Sequence, residues 1–118
     1  MKKIILYLLI CSSVFATPNL QWQEKNSNLL FTFDDAVKYC KDLNLDSKDD
    51  WRLATLTELT KYSKNIDYIQ SDKPYYIWTS TVYNYFDKAS WFVSFSDHYQ
   101  HFSLKTQKLH VKCVRKSI

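Results

Sequence analysis

The sequence predicts an α+β domain of two short helices followed by antiparallel strands. Three observations carry that expectation. Two amphipathic segments with helix-start signals lie in the first half of the chain. The second half runs as short strand-like stretches separated by polar loops. Cys40 falls in the first helical segment and Cys113 in the last strand-like one. Runs of helix and then strand, rather than regular alternation, are the α+β pattern. The chain has 118 residues, 46% of them apolar and 17% aromatic, enough for one globular core and too apolar for disorder.

The first sixteen residues stand apart. Lys2 and Lys3 precede an almost continuous apolar run from Ile4 to Phe15, and Val14-Phe15-Ala16 ends it on small residues at the right spacing. This is the pattern of a secretory signal peptide, residues 1–16, leaving residues 17–118 as the domain. The run is shorter than the roughly 20 residues a membrane span needs, so no span is expected after cleavage. A lipoprotein or an uncleaved anchor is the alternative, although Ile10 before Cys11 does not suit lipidation. Loss of Lys2 and Lys3 lowers the formal charge from +4 to +2, which does not argue for nucleic acid. Loss of Cys11 leaves Cys40 and Cys113, and an even pair in an exported chain reads as a disulfide, against the alternative of two buried thiols. Secreted or periplasmic residence is the corresponding expectation.

Leu20 to Glu24 alternates like a strand, and Leu29 to Phe31, after the polar KNSN, offers a partner for it. Thr32 then suits an N-cap, with Asp34 and Asp35 in the first turn and Phe33, Ala36, Val37, Cys40 and Leu43 on one face. The polar NLDSKDD stops that helix, and Trp51-Arg52-Leu53 is a short extended piece. Thr55-Leu56-Thr57-Glu58 has the form of a capping box, opening a helix whose inner face is Leu56, Leu59 and Tyr62. Strands are expected over residues 75–82, 90–96, 100–104 and 110–115, with a hairpin turn near Asp97-His98 that lacks the usual glycine. The four tryptophans, Trp22, Trp51, Trp78 and Trp91, are assigned to the core.

AVKYC, DWRLATLTEL, YIWTSTVY, SWFVSFSDH and VKCVR occur in that order over residues 36–115. Together they resemble the Lcl C-terminal domain family, an exported bacterial module named after the end of a collagen-like adhesin. That family is similar in turn to the sulfatase-modifying-factor type of C-type-lectin-like fold. The resemblance implies that fold, with Cys40 and Cys113 joining first helix to last strand, and a role in glycan or other polyanion recognition. Ala54 stands where the family pattern has proline, and Asp49 and His98 where it has glycine. No collagen repeat is present, so the adhesin's trimer is not assumed.

With no glycine in the chain, nucleophile elbows and phosphate loops lack the residue they need, and no enzymatic activity is expected. No cofactor is expected either. His98 and His101, three apart on a strand, point to opposite faces and do not converge on a metal. Asp42, Asp46, Asp49 and Asp50 have the chemistry of a calcium loop but neither its spacing nor its glycine, so a solvated acidic loop is preferred to a structural calcium. Asp50, Trp51, Arg52, Thr55 and Glu58 read as a structural motif in which Arg52 clamps Glu58, against the alternative of a ligand-contacting arginine. Tyr83, Tyr85, Lys88, His98, Tyr99, His101 and Lys105 are the candidate ligand-binding residues, since aromatic rings stack on sugars and anchor protein interfaces. The expected partner is a glycan, or alternatively a protein of the cell envelope.

Overall fold

A computed structural model describes residues 19–24, 29–65 and 75–117. The proposed signal peptide and Cys11 lie outside these residues. The elements in chain order are β1 (Leu20–Trp22), α1 (Phe33–Asp42), β2 (Arg52–Leu53), α2 (Leu56–Lys64), β3 (Tyr76–Val82), β4 (Ala89–Ser94), β5 (Gln100–Leu104) and β6 (Cys113–Lys116).

Both helices start where their polar caps stand. The Thr32 hydroxyl accepts from the Asp35 N–H, and α1 buries Phe33, Ala36 and Cys40. Val37, one position beyond that stripe, is 41% exposed, so the inner face of α1 is narrower than the sequence suggests. At α2 both halves of the capping box are made, and Leu59 is fully buried between the half-buried Leu56 and Tyr62.

The strands form two antiparallel three-stranded sheets, ordered β1-β6-β2 and β3-β4-β5. β1 therefore pairs with the last strand and not with the residues after KNSN. Phe31 instead forms an isolated bridge to Leu109, with backbone bonds of 2.8 and 2.9 Å in the two directions. A parallel bridge between Ile77 and His110 joins β3 to the segment that leads into β6. The β4–β5 pair keeps an unbroken register from Ala89↔Leu104 to Val93↔Gln100.

Side-chain alternation along the strands divides the interior into two cores. Trp78, Phe92, Leu53 and Cys113 enter one core, with Phe33, Ala36 and Cys40 of α1 and with Trp51. Their immediate neighbours Ile77, Val93, Ala54 and Val114 enter the other, with Leu59 of α2 and Phe95. Cys40 and Cys113 form a disulfide with Cα atoms 5.5 Å apart, joining α1 to β6. Trp51 and Trp78 are core residues; Trp22 and Trp91 are half-buried and do other things.

Candidate functional site

The junction around Trp51 is built as scaffold. Arg52 grips Glu58 with two parallel bonds, Nη1 to Oε1 at 2.9 Å and Nη2 to Oε2 at 3.0 Å. Glu58 Oε1 also accepts the Thr55 N–H at 2.9 Å, and the Glu58 N–H returns to the Thr55 hydroxyl at 3.2 Å. The guanidinium beside Glu58 holds that carboxyl below its ordinary range, and the Thr55 N–H acts in the same direction. Trp51 donates its indole N–H to the Lys48 carbonyl at 3.1 Å. Asp50 takes no part in the Arg52 clamp. It receives Nε and Nη2 of Arg115, which also donates to Gln21 Oε1 at 2.8 Å, so this second clamp ties β1 and β6 to the loop before β2.

The candidate ligand-binding residues separate into two groups and one outlier. Tyr83 and Tyr85 stand together on the loop from β3 to β4, at 5.6 Å between ring centroids. That loop is tight: the Phe86 N–H donates to the Tyr83 carbonyl, and Tyr83 and Ala89 pair across its base. Lys88 follows on the same loop and is exposed, its carbonyl receiving the Lys105 N–H at 2.8 Å. His98, Tyr99 and His101 lie at the opposite end of β4–β5. There the Asp97 carboxylate accepts the Tyr99 N–H at 3.1 Å, which lowers its pKa. His98 has φ 63 and its Nδ1 sits 3.4 Å from the Ser63 hydroxyl. His101 stacks on Phe92, the face opposite Trp91. Lys105 is the outlier, its Nζ 5.0 Å from the centre of the Phe33 ring.

Two residues complete the tyrosine group that sequence reasoning left out. Trp91 and Phe102 face each other directly across β4 and β5. Tyr83 lies flat on Phe102, with centroids 4.1 Å apart and planes at 19°, and edge-on to Trp91 at 5.5 Å. Trp91 shares its face with Val93, which α2 covers; α2 is tied to Thr81 at one end and, through Thr60, to Gln100. The aromatic end of the face is left open: Phe102 is 52% exposed and Tyr85 89%. The signal that finds these two is period two. In a strand where Val93 is core, Trp91 shares its face, and Phe102 and Leu104 take the same side of β5.

Among the described residues, no three His, Cys, Asp or Glu side chains gather as a metal-binding group. In the acidic loop Asp42 pairs with Lys38 and Asp50 with Arg115, while Asp46 and Ser47 take positive φ inside the Leu45–Lys48 turn. Among the same residues no helix is long and apolar enough to cross a membrane. The Tyr83 face offers ring surfaces and two phenol hydroxyls, which is the chemistry of stacking and hydrogen bonding. No curated protein matches the chain. The family model of the Lcl C-terminal domain matches residues 16–115, nearly the whole chain, and the chain belongs to that family.

Proposed function

We propose that this is an exported, non-enzymatic recognition domain of the cell envelope that binds a glycan on the open aromatic face. One observation carries the reading: Tyr83, Trp91 and Phe102 form a contiguous ring cluster at one end of a sheet face that α2 covers elsewhere. Core aromatics are expected to be covered; a stacked cluster left half open is a surface for an apolar, ring-shaped partner. The C–H faces of a sugar fit that description, and the hydroxyls of Tyr83 and Tyr85 supply polar contacts beside it. The signal-peptide pattern supports an exported setting.

The test is a glycan array probed with the oxidised protein, with and without a calcium chelator. The expected result is a restricted set of bound sugars, unchanged by chelator, with binding at least about ten-fold weaker in Tyr83→Ala or Phe102→Ala, the size of one lost ring contact. Flat binding in both conditions would reject a glycan ligand. A second reading has its own observation. Val82 and Leu104 are also exposed, and aliphatic side chains contribute more to a protein interface than to a sugar. In that case the same two variants would lose a single envelope partner in a pull-down while the array stays silent.

A further inference from the structure

We propose a second ligand site, the groove between α2 and the β1-β6-β2 sheet, which takes a small organic acid with an apolar body. The groove measures about 610 Å³ and shares no lining residue with the Tyr83 face. That volume falls within the range of small-molecule sites.

One wall is apolar and rigid. Trp22 of β1 and Tyr62 of α2 stack with centroids 4.1 Å apart and planes at 20°. Leu20 lies on the same face as Trp22, two residues earlier on β1. Burial raises the Tyr62 pKa, so its phenol stays neutral and adds no negative charge.

The ionic groups at the groove do not cancel. Among the described lining residues Glu58 is the one carboxylate, and both its oxygens are occupied by the Arg52 guanidinium. That pair is neutral as a unit. Lys61 and Lys116 remain, both exposed, and among the described residues neither has a carboxylate within salt-bridge distance. Lys116 is held beside Leu20 by the β1–β6 register. Lys61 also offsets the negative end of α2, a role that Lys116, on a strand, does not share. Two cations beside an aromatic wall, without an acidic partner among the described residues, select a ligand with one anionic head and an apolar body. Attraction fixes the head, and burial of the body against Trp22 and Tyr62 supplies affinity.

The probe is 4-phenylbutyrate, titrated into the isotope-labelled, oxidised protein and followed by proton–nitrogen correlation spectra. Saturable shifts are expected at the Trp22 indole and at Lys61, Tyr62 and Lys116, with Kd in the millimolar range or tighter, as suits a ligand of that size. The amine analogue, 4-phenylbutylamine, should give no saturable shifts there. The Lys61→Gln/Lys116→Gln double variant changes only exposed side chains, and it should bind the acid at least ten-fold more weakly with an otherwise unchanged spectrum. Absence of saturable shifts with the acid, equal shifts with the amine, or undiminished binding by the double variant would each overturn the proposal. None of these outcomes bears on the glycan reading, which rests on other residues.

Discussion

At the residue scale, Glu58 does three jobs with one carboxylate: it caps α2, pairs with Arg52, and fixes the turn that carries the chain from β2 into the helix. Its pKa is lowered in the fold, chiefly by the Arg52 hydrogen bonds. A carboxyl with a lowered folded pKa contributes stability above its unfolded value, near 4.3, and that contribution is lost as pH falls through the folded value. Urea unfolding at pH 7 and pH 3 should therefore show a loss of stability on acidification that is smaller in Glu58→Gln than in the native protein. The comparison is needed because Asp50 and Asp97 have lowered pKa values too and lose their contributions in the same direction. An equal loss in variant and native protein would show that the clamp is spent on positioning and adds nothing to pH-dependent stability. The Glu58 constellation is legible in the sequence because its members lie within seven residues and obey a local rule. The Arg115–Asp50 clamp is equally well formed, yet its members are 65 residues apart and nothing local announces them.

At the element scale, the strands and the local β4–β5 hairpin are readable in the sequence, and the long-range pairings are not. A strand's own pattern tells which residues alternate; the choice of partner depends on how the whole chain closes. The first strand illustrates the difference, since the nearby Leu29 to Phe31 looked like its mate while β6, more than ninety residues away, took the place. The β4–β5 hairpin illustrates a local conflict. His98 occupies the left-handed region at φ 63, at the position where the family pattern has glycine. A residue with a Cβ is disfavoured there by about 1 kcal/mol or more, and glycine gives back part of that through its greater freedom in the unfolded chain. His98→Gly should therefore stabilise the domain by roughly 0.5 kcal/mol, raising Tm by about 2–4 °C, while His98→Ala should lower it. The alanine variant keeps the strain and loses the contact with Ser63. If glycine and alanine shift Tm alike, the hydrogen bond matters and the backbone conformation does not. The open aromatic face belongs to this scale as well. Trp91 reads as core in the sequence because apolarity is visible there and the place where α2 stops covering the sheet is not.

At the scale of the whole molecule, two cores are held together by strands that serve both. Ile77 and Trp78 on β3, Phe92 and Val93 on β4, and Cys113 and Val114 on β6 each send one neighbour to either side. The disulfide lies in only one core, on β6, the central strand of its sheet. Cutting it releases a loop closed across a sequence separation of 73, about 4 kcal/mol in the chain-entropy model. That is a large share of the roughly 5–15 kcal/mol by which a domain is stable. Because β3, β4 and β6 cannot leave one core without disturbing the other, the loss should not stay on the α1 side. Reduction, or the Cys40→Ala/Cys113→Ala variant, should lower Tm by about 15–30 °C and leave one cooperative transition. Near-ultraviolet circular dichroism reports the tryptophans of both regions and far-ultraviolet the backbone, and the two melting curves should coincide. Two separated transitions would mean that the α2 side, with Leu59, Phe95 and Val114, stands without its neighbour. The groove beside Trp22 and Tyr62 would then survive reduction, whereas in a single cooperative unit its acid-binding shifts vanish at the same temperature as the rest of the fold.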